Sequence, residues 1–160
     1  MSIELNALTR SAKARELGID NAPPTPALVL FEDFKEKVLR PLCDRHGNVY
    51  ITSGYRCPEL NTAIGGAATS DHVWDAFGIA CDFTVTGKDL KTIYDELRGP
   101  EGLSIPFDQL ILEHEKGTEP PLYRCIHISY RPNPRRMAMR GGTYGSTKYE
   151  HDTVAGLEDA

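Results

Sequence analysis

Two stretches of this chain alternate with a period of two, each with one polar and one apolar side. In residues 79 to 86, Asp82, Thr84 and Thr86 share one side while Cys81, Phe83 and Val85 share the other. In residues 125 to 130, Cys125, His127 and Ser129 oppose Ile126, Ile128 and Tyr130. Successive side chains of a strand point to opposite faces, so both stretches are predicted to be strands whose apolar side meets helices. Val49 to Ser53, rich in β-branched residues and broken by Gly54, and Gln109 to Glu113 are two further predicted strands.

Between the strands the period changes. Phe31, Phe34, Val38, Leu39 and Leu42 recur at helical spacing among charged residues, which predicts an amphipathic helix kinked at Pro41 and stopped by Gly47. Pro58 to Ile64, ahead of Gly65-Gly66, and Leu90 to Leu97, ahead of Gly99-Pro100, are predicted as shorter helices. The fold class that follows is α+β: a small, mostly antiparallel sheet with helices packed on one face. A length of 160 residues suits one domain. Residues 1–26, ending in a proline-rich turn, read as an arm laid on that domain; 27–136 form its body; 137–160, with Arg140, Gly141-Gly142, Glu158 and Asp159, read as a loosely ordered tail.

Charge and composition exclude several functions. Eighteen basic against 23 acidic residues give a net charge of -5, with no global attraction to nucleic acid. Arg131, Arg135, Arg136 and Arg140 lack interleaved aromatics and read as part of a solvated tail. The longest apolar run, Ala27 to Phe31, is far too short to span a bilayer, so no transmembrane segment is expected. Charges run through the first thirty residues without an apolar signal core, so no signal peptide is expected and folding should occur in a cytoplasm. Cys43, Cys57, Cys81 and Cys125 form no CxxC pair and are expected to be reduced and mostly buried. A monomer is the favoured state.

Three residues carry side chains suited to a metal: His72, after the small-residue loop Gly65 to Ser70, and Asp82 and His127, each on the polar side of its strand. Two imidazoles and a carboxylate are ligands that Zn2+ accepts, and three protein ligands leave a position open for water. Spacing alone does not single out this triad, because five histidines and many carboxylates can be combined in other ways. Cys125 shares its strand side with His127, and a fourth ligand from it would close the site. His46, His114 and His151 read as ordinary surface or loop residues, and Cys81 as core. Trp74 and Phe77 either form a lip over a site or fold inward.

Several short motifs, taken in order, resemble the zinc D-alanyl-D-alanine carboxypeptidase family, whose members cut cell-wall peptides and are common among bacteriophage lytic proteins. They are Ser11-Ala12 through Gly18-Ile19-Asp20-Asn21, Val38-Leu39-Arg40-Pro41-Leu42, Ser53-Gly54-Tyr55-Arg56-Cys57-Pro58-Glu59-Leu60-Asn61 with Ile64-Gly65-Gly66, and Ser70-Asp71-His72. Gly78-Ile79-Ala80-Cys81-Asp82, Phe107-Asp108-Gln109-Leu110-Ile111 with Glu113, and His127-Ile128-Ser129-Tyr130 continue the series. The resemblance runs from about residue 11 to about residue 136. It implies zinc ligands at His72, Asp82 and His127, an arginine on the substrate side at Arg56, and a serine at Ser70 that bonds substrate or a neighbouring group.

Two departures stand out. Nine residues separate His72 from Asp82 where the family usually has six, so the surplus is expected to bulge around Trp74-Asp75-Ala76-Phe77. Arg124 occupies the place, three before the last histidine, where many relatives carry an acid. The resemblance then offers Glu113 as the general base, with Glu115 and Asp71 as alternatives. The implied activity is zinc-dependent hydrolysis of peptidoglycan stem peptides, of the L-alanyl-D-glutamate endopeptidase or the D-alanyl-D-alanine carboxypeptidase type. A phage endolysin, made in the host cytoplasm and acting on the bacterial cell wall after release, is the expected setting. A metal-binding virion or tail component without hydrolysis is the alternative.

Overall fold

In a computed structural model describing residues 3–115, 117–141 and 149–157, the alternating segments become neighbouring strands of one six-stranded sheet. The strands are β1 (Val49–Ser53), β2 (Ile79–Val85), β3 (Gln109–His114), β4 (Tyr123–Tyr130), β5 (Met137–Gly141) and β6 (Tyr149–Asp152). Their order is β1-β2-β4-β3-β5-β6, and every pair is antiparallel except the parallel β3 and β5. The α+β expectation holds.

The helices are α1 (Leu5–Thr9), α2 (Ala12–Leu17), α3 (Thr25–Phe34), α4 (Arg40–His46), α5 (Pro58–Ala63) and α6 (Leu90–Arg98). Local chemistry sets their ends. Ser11 caps α2 by accepting from the Ala14 N–H, and Gly18 closes it at φ 66°, a left-handed conformation that costs glycine little. Asp89 caps α6 by accepting from the Thr92 N–H at 2.9 Å. The kink expected at Pro41 is a wide π turn, Lys35–Leu39, between α3 and α4. Proline lacks the N–H that a tight turn needs and its ring crowds the carbonyl four residues back, so the chain widens just upstream.

Phe34, Val38, Leu39 and Leu42 meet Phe83, Ile126 and Ile128 from the sheet, while Ile93, Tyr94 and Leu97 of α6 complete the same core. Burying each such side chain is worth about 1.5–3 kcal/mol. The opposite side of β2 and β4 is left to polar residues. The arm docks too: Leu8 is fully buried, and its carbonyl accepts from the Tyr55 N–H at 2.6 Å.

Two expectations need correction. Part of the predicted loose tail is ordered: β5 pairs with β3, and β6 pairs with β5. The Arg140 guanidinium forks onto the Asp152 carboxylate at 2.7 and 3.0 Å, and the Tyr94 hydroxyl donates to Asp152 at 2.8 Å. Gly142, Glu158 and Asp159 of that tail, and Lys116 in the β3–β4 connection, lie outside the described residues. His46 is buried rather than on the surface, with Nε2 3.8 Å from Glu96. Burial pushes its pKa down, against the pull of Glu96.

Candidate metal centre

Strand register brings the ligand types together. Asp82 of β2 lies directly opposite His127 of β4, and Ile111 of β3 lies opposite His127 on its other side. His72 reaches the same spot from the loop before β2. His127 Nδ1 sits 2.9 Å and His72 Nε2 3.1 Å from the same Asp82 oxygen, Oδ1. The rings meet edge-on with centroids 5.1 Å apart. One ligand atom from each of the three residues lies within 4.8 Å of the others, and both histidines are buried.

The bonds around His72 fit a cation. Its Nδ1 donates to the Gly54 carbonyl at 2.7 Å. A carbonyl can only accept, so Nδ1 carries a proton and Nε2, beside Asp82 Oδ1, is the ring atom that can ligate a metal. A metal ion between the two atoms satisfies both, and the Gly54 bond fixes the ring as outer partners of metal-binding histidines do. Burial alone would raise the Asp82 pKa, but the two imidazoles outweigh it and hold the carboxylate far below its ordinary range. For His127, burial works against the charged form, yet the bond to Asp82 and the carboxylate's charge raise its pKa.

Glu113 lies one row along the same face, opposite Cys125. Burial first, and then the Asp82 charge, raise its pKa, with His127 offsetting part of the shift. The Cys125 thiol donates to Glu113 Oε2 at 3.6 Å, and burial, Asp82 and Glu113 all push its pKa up, so it is a thiol and not a thiolate. Its sulfur is absent from the converging donor set. Of the alternatives to Glu113, Asp71 is bonded to Arg131 at 3.0 Å and Glu115 is half exposed, 4.0 Å from Arg124.

Arg56 and Ser70 sit against the first histidine. The Arg56 backbone N–H donates to the His72 carbonyl at 2.9 Å, and its Nη2 donates to Ser70 Oγ at 3.1 Å. Ser70 Oγ also accepts from the His72 N–H at 3.3 Å. The surplus residues between His72 and Asp82 fold as an Asx turn, Asp75 Oδ1 accepting from the Phe77 and Gly78 N–H groups. The two aromatics divide. Trp74 turns inward, stacked on Phe31 and bonded through Nε1 to the Ala80 carbonyl at 2.9 Å, whereas Phe77 is 75% exposed at the turn's tip. His114 is half-buried and His151 exposed, and neither joins the donor set.

Some supporting groups were not assigned a supporting role from the sequence. The Gly54 carbonyl is backbone and has no residue-type signature. Asn21 ties the arm to the Tyr55–Cys57 turn: its Nδ2 donates to the Thr9 and Tyr55 carbonyls and its Oδ1 accepts from the Cys57 N–H. Arg131 and Arg135, read in the sequence as part of a solvated tail, instead pair with buried Asp108, and Arg131 also links it to Asp71, next to His72. An asparagine beside a proline-rich turn is the signal for the first; nothing local marks the second.

No curated protein matches the chain. The model of the family described as peptidase M15 matches residues 1–117, a span that includes His72, Asp82 and Glu113. It ends before β4, so His127 enters the set through the β2–β4 pairing. With most of its length matched, the chain belongs to the peptidase M15 family.

Proposed function

We propose that this chain is a zinc-dependent peptidase that hydrolyses peptide bonds in the stem peptides of bacterial peptidoglycan, acting as a phage endolysin. The observation that carries the reading is the gathering of His72, Asp82 and His127 around one point, with Glu113 one row away on the same face. His72 Nε2, His127 Nδ1 and an Asp82 oxygen would hold the ion. Bound zinc supplies Lewis-acid polarisation of a carbonyl and acidification of water.

The remaining chemistry belongs to the chain. Glu113 accepts a proton from the attacking water and returns it to the leaving amine, and its half-buried position beside Asp82 suits a base kept more proton-avid than a surface glutamate. Arg56, steadied by Ser70, offers a planar donor pair to a substrate carboxylate. Cys125 holds Glu113 by its S–H. The chain is synthesised in the host cytoplasm and reaches the wall after release, working as a monomer. Among the described residues no helix is long and apolar enough to cross a membrane.

The test is clearing of isolated cell walls by zinc-supplemented protein beside Glu113→Gln, with mass spectrometry of the fragments. Clearing by wild type alone, with new amino termini inside the stem peptide, supports an endopeptidase; loss of a terminal D-alanine supports the carboxypeptidase form. No clearing by either protein favours a metal-binding virion component, the reading that Arg124 in place of an acid suggests.

A further inference from the structure

Outside the metal centre, a groove with a basic lining lies between the N-terminal arm and β1. One wall runs from Arg10 to Arg15, the other from Tyr50 to Arg56. Arg10, Lys13, Arg15 and Arg56 line it, and no Asp or Glu is among its described lining residues. In a chain with 23 acidic and 18 basic residues, that lining runs against the composition. Glu16 takes the Lys13 ammonium at 2.8 Å, so Arg10 and Arg15 carry the argument. The Arg10 guanidinium leans over the Tyr50 ring at 5.5 Å with Nη2 3.5 Å from the Ile51 carbonyl, and Arg15 forms no ion pair among the described residues.

Position supplies the second observation. Ser53 is the register partner of Asp82 and Tyr50 that of Thr84, so both side chains lie on the face that carries the metal ligands. The groove therefore starts beside the centre, at Ser53 and Arg56, and leads away along β1. That strand is outermost in the sheet, with its Ile51 carbonyl bonded to Arg10 and its Val49 N–H to the Gly47 carbonyl, so the groove recognises a ligand through its side chains. A cationic track that opens onto the ligands along a strand edge fits a peptide bearing carboxylates.

We propose that this groove binds the carboxylate-bearing part of the substrate peptide remote from the cleaved bond, with Arg10 and Arg15 as its anchors. The proposal rests on the peptidase reading for the identity of the peptide, a stem peptide with glutamate and terminal carboxylates. Guanidinium forks donate equally well to phosphate, so a phosphodiester polymer of the wall is the competing occupant.

The experiment is fluorescence anisotropy of a labelled soluble stem peptide with the full chain, zinc-supplemented and carrying Glu113→Gln so that nothing is cleaved. Adding R10Q and R15Q together should weaken binding about tenfold at low salt, as expected for two partly exposed charge contacts. The gap should close as salt shortens the reach of surface charges. Thr52→Asp, an exposed groove position that leaves the arm untouched, should weaken binding in the same way. A peptide with its carboxylates amidated should bind weakly to every variant. Equal affinity of R10Q/R15Q and its parent, or equal binding of the amidated peptide, overturns the proposal. So does a loss seen only on walls retaining phosphodiester polymer while peptide affinity stays unchanged. Arginine-dependent binding in a protein that cleaves no wall leaves the groove standing and removes the peptidase; cleavage with arginine-independent binding does the reverse.

Discussion

His72 is held from behind by the Gly54 carbonyl and meets Asp82 in front, so its tautomer and aim are both set before any ion arrives. Glu113, half-buried beside the centre, is the one carboxylate of the three considered that has no arginine on it among the described residues. Glu113→Gln should therefore lower the turnover of wall peptide by about 10²–10⁴-fold while bound zinc, read by elemental analysis, stays at the wild-type level. Cys125→Ala should also leave the metal content unchanged, because its protonated thiol bonds Glu113 and contributes no ligand. A zinc content that falls on removing this sulfur contradicts that role. The side chains of the centre were candidates from their place on polar strand sides or after a small-residue loop, and the family resemblance chose among them. The bond that aims His72 was not legible, since any residue at 54 has a carbonyl.

At the level of elements, the arm and the centre are coupled through Gly54. A β-carbon at this position would lie 2.0 Å from the Leu8 carbonyl oxygen, so Gly54→Ala must displace either the arm or the turn that holds His72. The expected cost is about 1–3 kcal/mol in chemical unfolding, with weaker zinc binding as its partner effect. Asp108, fully buried before β3, gives a pH prediction. Burial opposes its ionisation, but the Arg135 side chain and backbone N–H, followed by the Arg131 charge, outweigh burial and lower its pKa. A lowered folded pKa stabilises the fold fully above the unfolded value of about 3.9 and loses that contribution as pH falls through the folded pKa. Asp108→Asn should thus cost about 2–3 kcal/mol near neutral pH, and its deficit in urea unfolding should shrink below about pH 4. A deficit that grows on acidification contradicts the sign. Strands β1 to β4 were legible from alternation. Strands β5 and β6 were not, because Met137-Ala138-Met139-Arg140-Gly141 has weak strand propensity and is ordered by a distant parallel partner and by Asp152 and Tyr94.

Over the whole molecule, the sheet keeps its apolar side for the helices and lends its polar side to the candidate centre, so Asp82 and His127 come together only when β2 and β4 pair. Metal binding and folding are then linked, since the unfolded chain holds no such set. The α+β class was readable from periodicity, whereas the triad was singled out only by the family resemblance, because alternation puts several histidines and carboxylates on polar faces without choosing among them. The most direct measurement is zinc X-ray absorption on the purified, zinc-loaded chain, paired with metal stoichiometry. The account predicts one zinc per chain with a shell of nitrogen and oxygen only at about 2.0–2.2 Å, containing two imidazoles and falling to one in His127→Ala. A sulfur neighbour at about 2.3 Å, four protein ligands with no room for solvent, or a stoichiometry near zero contradicts it.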